Sequence, residues 1–448
     1  MKKHKRSTFS GKLGFVLSAA GASVGLGNIW RFPYLAAKYG GGIFLLVYII
    51  LALTFGYTLI MAETSLGRMT RKSPVGAFES FGNSRFISIG GWINAIIPIL
   101  IVPYYSVIGG WVIKYLIEYF AGHSKTLAGD AYFTTFISNG WSTEICFIIF
   151  TLFTLGIIYA GVRNGIERVS KFMMPILIVL SLIIAVYSVT RPGAIEGVKY
   201  FLVPNFDHFS WMTVVSAMGQ MFYSLSIAMG ILITFGSYMK KDTSIEKSTE
   251  NVEIFDTAIA IMAGLMIIPA VFAFSGGNAE TLKSGPALMF ITIPKVFANM
   301  GFGTAIGVVF FLLVLFAAVT SSIALTESAV STFEDELHWS RKKSTVFMGM
   351  LSCLGYGPLA NFKILGMQFL DFFDFITNSV MMPIAAIATC LLVSKVVGVD
   401  KIEEEIKKDG QVFRRKKIFC FMIKYLCPLF AAIILISSVA NAFGIITM

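Results

Sequence analysis

With 448 residues, 56% of them hydrophobic and only 14% charged, the chain falls well short of the ~25% charged residues of soluble globular domains. That excludes a soluble fold and points to a protein of many membrane spans. The net charge of +11 raises nucleic acid or anionic lipid as partners, but most of the 36 lysines and arginines fall in alternate loops on one side of the predicted spans. The excess is then the positive-inside signature of topology, and no nucleic-acid partner is expected.

Eleven transmembrane helices are predicted, at about 12–37, 41–68, 87–119, 142–161, 167–190, 212–237, 252–276, 304–333, 344–358, 367–395 and 418–445, with the N-terminus on the basic, cytoplasmic side. The basic run at 1–6 precedes a span carrying Asn28 and Arg31 and no small-residue cleavage pattern, so no removable signal is expected. Span 1 holds Ala20-Gly21-Ala22-Ser23-Val24-Gly25-Leu26-Gly27-Asn28-Ile29-Trp30-Arg31-Phe32-Pro33. In hydrocarbon an unsatisfied backbone group costs several kcal/mol, so a helix breaks at membrane depth only where the freed groups line a polar site.

Span 2 adds Glu63 and span 3 adds Tyr104 and Tyr105. Span 6 carries a second small-residue break at 219–230, with Gln220, Tyr223, Ser224 and Ser226. Two interrupted helices in matching halves of a membrane chain point to a transporter's binding site. Span 7 begins with Glu253 and Asp256, span 8 carries Thr320, Ser321 and Ser322, and span 10 carries Asp371 and Asp374. The connection 275–303, apolar at 287–297, suggests a helical hairpin folded onto the outer mouth. The charge run 401–409 is expected to be a solvated short helix. Spans 1–5 (about 10–190) and 6–10 (about 212–397) are expected to form inverted repeats of a single transporter domain, 1–448, with an extra helix at about 418–445.

Singly, each polar residue has a bland explanation: a Thr-Ser-Ser run glues helices together, and glycines allow close packing. Their coincidence on spans 1, 3, 6, 7 and 8 favours a site. Oxygens from Asn, Ser, Thr and freed carbonyls, with at most one carboxylate, suit Na⁺ rather than Ca²⁺ or Mg²⁺. Helix N-terminal ends at a break favour an anionic group such as a carboxylate, and nearby aromatic and Met side chains accept an apolar tail. The sum is a sodium-coupled carrier of a zwitterion with a hydrophobic tail. No histidine lies at membrane depth, and Cys146, Cys353, Cys390, Cys420 and Cys427 show no metal spacing. An enzyme is therefore not expected, and polar residues clustered near the midplane disfavour a channel.

The motif Gly25-Leu26-Gly27-Asn28-Ile29-Trp30-Arg31-Phe32-Pro33, with Pro103-Tyr104-Tyr105, 219–226 and 317–322, resembles the neurotransmitter:sodium symporter family, in its bacterial amino-acid branch. The resemblance covers nearly the whole chain. It implies an all-α polytopic membrane protein with a LeuT-type 5+5 inverted repeat, broken helices 1 and 6, and eleven transmembrane helices. Localisation is then a multi-pass bacterial plasma membrane protein; the lipid bilayer and a small-molecule amino-acid substrate are the partners, and oligomeric state stays open.

Carried over by position, the resemblance implies one sodium at Ser23, Asn28, Ser224 and Asp256, and a second at Gly21, Val24, Ala317, Thr320 and Ser321. It implies a substrate pocket of Ala22, Ser23, Gly25, Ile101, Tyr105, Tyr223, Ser224, Ser226, Met229, Ser321 and Leu325. Gly25 stands where carriers of amines place an Asp, so the substrate keeps its carboxylate, with Tyr105 as its hydrogen-bond partner. Met229 stands in place of a Phe found in the family and leaves room for aromatic or branched side chains. Asp256 supplies the negative charge that chloride-dependent relatives take from the anion, so chloride independence is expected.

Gates are implied at Arg31 with Asp374, with Tyr223 as lid, and at Arg6 with Asp335 beside Tyr238, plugged by Phe9. Gly165 and Pro175 match the family's break in helix 5. The expected activity is import of hydrophobic or aromatic L-amino acids with two Na⁺ by alternating access. A small amino acid or an osmolyte is the alternative cargo.

Overall fold

Val24 leaves the helical region (φ −75°, ψ 87°), and the first small-residue segment therefore ends one helix, Lys12–Ser23, before another resumes as Gly27–Lys38. The two pieces are bent by 52°. In this computed structural model, which describes residues 6–276, 285–354, 363–364 and 367–442, the second segment breaks more fully. Trp211–Ser224 is followed by six residues without regular helix and then by Ile231–Tyr238. Ser226, Ala228 and Gly230 there have φ of 52°, 59° and 71°. Left-handed backbone is disfavoured for a residue with a Cβ, so Ala228 needs outside support. Its N–H donates to Glu63 Oε1 at 2.7 Å, from a carboxylate that is itself wholly buried.

Among the described residues eight helices are long and apolar enough to cross a membrane: Gly42–Thr70, Arg85–Phe120, Gly140–Tyr159, Val162–Val189, Ile245–Ser275, Gly303–Glu336, Leu370–Val397 and Lys416–Ala442. The bent pair makes nine. The broken pair Trp211–Ser224 and Ile231–Tyr238, and the shorter Arg341–Leu354, occupy the places of predicted spans 6 and 9. The ends of predicted spans 9 and 11, at 355–358 and 443–445, lie outside the described residues. A two-residue pairing of Lys363–Ile364 with Met367–Gln368 is the sheet among the described residues.

The long helices Arg85–Phe120 and Gly303–Glu336 pack together through the centre of the bundle. Gly307 permits this, since a Cβ there would lie 2.0 Å from the Tyr119 ring. Broken spans 1 and 6 lie against this pair, so their exposed backbone groups face protein rather than lipid.

Three expectations need correction. Span 7 starts at Ile245, well before the predicted 252, because its charged first turns depress hydropathy without stopping the helix. Span 5 is not broken between Gly165 and Pro175: a π-helical turn, Val162–Glu167, runs straight into Arg168–Val189. The 401–409 run is not simply solvated. Helix Val399–Ile406 buries Val399, Ile402, Glu405 and Ile406, and Glu405 pairs with Arg68 at 2.6 Å, both side chains nearly inaccessible. In the 275–303 connection, Leu288–Thr292 and Ile293–Ala298 are helical and buried, while 277–284 lie outside the described residues.

Candidate functional site

Two helices that stop in mid-bundle leave carbonyls and N–H groups that need partners, and side chains from spans 2, 3 and 8 supply them. Ser321 on span 8 donates to the carbonyls of Ala22 (3.1 Å), Gly21 (3.3 Å) and Val24 (3.5 Å). Thr320 beside it reaches Ala317 O at 3.2 Å, and a Cβ on Gly21 would stand 3.1 Å from Thr320 Cβ. Ser321 thus gathers the carbonyls of Gly21, Ala22 and Val24 against span 8, with Thr320 next to it and no carboxylate among these groups. That donor set fits a hard monovalent cation.

A second polar cluster lies around Asp256, which is fully buried in the fourth turn of span 7. Its carboxylate accepts from Asn28 Nδ2 (2.8 Å), Ser224 Oγ (2.9 Å) and Tyr48 OH (3.0 Å). Asn28 Oδ1 accepts from the N–H of Gly25 at 3.4 Å. Ser23 does not turn its hydroxyl to this cluster: Oγ donates to Ala19 O and Leu225 O at 3.1 and 3.3 Å. A buried carboxylate with three donors and no basic partner suits a cation held beside Asn28 and Ser224.

Between the clusters a cavity of about 30 Å³ is lined by Ala22, Ser23, Gly25, Ile101, Tyr105, Tyr223, Ser226, Met229, Ser321 and Leu325, together with Leu26 and Gly27. That is room for a water or two, so a larger solute enters only as side chains draw back. Its polar end is tight. Ser226 Oγ donates to Ala22 O at 2.9 Å, Tyr105 OH accepts from the N–H of Leu26 at 3.5 Å, and a Cβ on Gly25 would lie 2.6 Å from Ser321 Oγ. Ile101, Met229 and Leu325 form the apolar end.

Tyr223 also lines a second, larger cavity of about 450 Å³, together with Arg31, Tyr104 and Asp374. Only Gly at 27 allows that ring to lie flat over span 1, since a Cβ would come within 2.1 Å of Tyr223 Cδ1. Arg31 and Asp374 share this cavity without an ion pair among the described residues. The guanidinium instead sits 5.3 Å over the Tyr223 ring, and Asp374 accepts from Tyr104 OH at 3.3 Å.

At the end of the bundle where the chain begins, Arg6 and Asp335 do meet. Arg6 donates to both Asp335 oxygens (2.8 and 2.9 Å), to Ser331 and to Ser237, and lies 4.9 Å over the Tyr238 ring. Phe9 is buried against Phe15, Phe235 and Tyr238. Two members of this layer were not singled out in the sequence: Glu327, which accepts from Tyr238 OH at 2.7 Å, and Arg341, which pairs with it. Tyr48 was missed as well. A single hydroxyl in the apolar run Gly42–Leu51 carries no signal until its partner is known.

The sequence matches the sodium:neurotransmitter symporter family over residues 6–147 and 117–445. It is 32% identical to the sodium-dependent transporter YhdH of Bacillus subtilis (strain 168) over the full length of both chains. With a sodium-dependent transporter of Haemophilus influenzae it shares 30% identity over 97% of this chain and 98% of that one. Among solved structures it is similar to MhsT in complex with L-phenylalanine, with a TM-score of 0.86 and 33% identity over 97% of this chain and 100% of that one.

Proposed function

The chain belongs to the sodium:neurotransmitter symporter family, a sodium-dependent membrane transporter and not an enzyme, and from that premise we propose that it imports hydrophobic or aromatic L-amino acids with two Na⁺ per substrate and without chloride. The observation that carries this reading is the small cavity between the two cation-suited clusters. One end offers backbone and hydroxyl groups, and the other offers only Ile101, Met229 and Leu325. Gly25 at the polar end brings no fixed charge, and its backbone lies close to Ser321 and Tyr105, where a substrate carboxylate would lie. The similarity to MhsT, crystallised with L-phenylalanine, supports an aromatic side chain at the apolar end.

In this reading Ser23, Asn28, Ser224 and Asp256 hold the first sodium, and Gly21, Val24, Ala317, Thr320 and Ser321 hold the second. Asp256 balances the first ion's charge, which makes chloride unnecessary. The protein sits in a bacterial plasma membrane with its N-terminus inside, with repeats at about 10–190 and 212–397, and spans 1, 2, 6 and 7 rock against the rest. Tyr223 closes the substrate from one side, and the Arg6–Asp335 pair from the other. Each Na⁺ moving down a tenfold gradient releases ~1.4 kcal/mol, and crossing 100 mV adds ~2.3 kcal/mol per charge. Two ions thus supply roughly 7 kcal/mol, a limiting accumulation of about 10⁵-fold for a zwitterion.

The alternative cargo, a small amino acid or an osmolyte, is favoured by one observation, the cavity volume of about 30 Å³. Uptake into proteoliposomes decides between them. Labelled tryptophan, tyrosine, leucine, glycine and taurine are offered with a sodium gradient, with choline for sodium, and with gluconate for chloride. Sodium-dependent, chloride-insensitive accumulation of the first three is expected. Accumulation of glycine or taurine alone would overturn the proposal.

A further inference from the structure

A cavity of about 310 Å³ opens on the surface of the bundle, away from the transport site, lined by Trp339, Lys342, Lys343, Val346, Phe347 and Met350. Its lining is graded. Lys342 and Lys343 stand at the start of helix Arg341–Leu354, and Val346 and Met350 follow on its lipid-facing side, each 55% exposed. The spacing 343, 346, 347, 350 keeps these residues on one face of a helix. Among the described residues neither lysine meets a carboxylate. Lys343 Nζ lies 3.9 Å over the Trp339 ring, and Lys342 Nζ lies 5.5 Å over the Tyr159 ring. The neighbouring Arg341 is already committed to Glu327.

Two uncompensated ammonium groups at the mouth of an apolar groove are chemically complementary to a phosphate that carries acyl chains. The Arg6–Asp335 pair puts this end of the molecule with the chain's basic start, at a membrane surface where anionic headgroups gather positive charge. Trp339 lies at the same level, as indoles do at the interface between headgroups and hydrocarbon. We propose that this groove is a binding site for one anionic phospholipid, its phosphate between Lys342 and Lys343 and an acyl chain along Val346 and Met350. A zwitterionic lipid fills the apolar part but gains little from the lysines, so the site selects by charge.

The test is native mass spectrometry of the full-length transporter in detergent, titrated separately with phosphatidylglycerol and phosphatidylcholine of the same chains. Basic residues near a membrane surface each contribute about five-fold in affinity for anionic lipid. The wild type should therefore hold one phosphatidylglycerol roughly 25-fold more tightly than phosphatidylcholine. Lys342→Gln with Lys343→Gln should remove that preference, and Lys342→Arg with Lys343→Arg should keep it. Val346→Trp, which fills the groove and leaves both lysines, should weaken both lipids and so separates a built site from diffuse surface charge. An undiminished preference in the double Gln variant overturns the proposal. So does a dimer that Val346→Trp converts to monomer with no change in bound lipid, since a second copy would then be the occupant.

Discussion

Replacing Asp256 by Asn tests the ion chemistry most directly, because the change keeps the shape and removes the charge. The carboxylate is fully buried and accepts from Asn28, Ser224 and Tyr48 at 2.8 to 3.0 Å. An amide accepts on one atom only, so one of these donors then faces an N–H. A cation about 4 Å from a unit charge gains ~4 kcal/mol at an effective dielectric of 20. Relaxation and water entry return part of this, leaving roughly 2–4 kcal/mol, or about 30- to 1000-fold in sodium affinity. The assay is uptake into proteoliposomes as a function of external sodium, with substrate binding to the purified protein measured in parallel. Asp256→Asn should raise the half-saturating sodium concentration at least 30-fold in protein that elutes and melts like the wild type. Wild-type uptake should be unchanged when gluconate replaces chloride. A shift under threefold in folded Asp256→Asn protein, or loss of wild-type uptake without chloride, would refute the charge-balance argument.

Three further substitutions probe other contacts. Tyr48→Phe removes one hydrogen bond to the same carboxylate, a charged-group bond worth about 1.5–3 kcal/mol; half-saturating sodium should rise about tenfold or more, and an unchanged value would place Tyr48 outside the ion site. Gly25→Ala drives a Cβ to 2.6 Å from Ser321 Oγ and 3.3 Å from Tyr105 OH. Overpacking of this kind costs about 1–3 kcal/mol, so equilibrium substrate binding should weaken about fivefold or more, whereas wild-type affinity would mean that Ser321 is free to move. Glu405→Gln leaves the inaccessible Arg68 guanidinium without its counter-charge. Breaking one side of a buried pair costs about 3–5 kcal/mol, and a denaturation midpoint that hardly moves would show that water reaches Arg68.

What could be read in the sequence, and what could not, follows from how far each signal reaches along the chain. The breaks within 20–33 and 219–230 were legible because glycines and hydroxyls in an apolar run contradict their own surroundings, although the second is confined to 225–230. Ser321 and Thr320 were legible for the same reason, and the partners of Ser321 lie on the first break. Tyr48 was silent because its meaning depends on Asp256, 208 residues away. The start of span 7 was silent for a related reason. Glu246 lowers hydropathy there, yet it is buried, accepting from Tyr57 OH at 2.8 Å and from the N–H groups of Arg414 and Arg415 at 2.9 and 3.0 Å. A hydropathy window prices such a residue as if it faced hydrocarbon alone, whereas here distant backbone donors compensate it. The same donors lie in the segment after helix Val399–Ile406, whose Glu405 holds Arg68 at the end of span 2. Two satisfied carboxylates, each unremarkable in its local window, therefore bind the linker between spans 10 and 11 to spans 2 and 7. Any rocking of spans 2 and 7 must carry this linker along or break a buried ion pair. The loss of several kcal/mol in the second case makes the first the lower-energy course, with Gly398, at φ 84°, available as the joint.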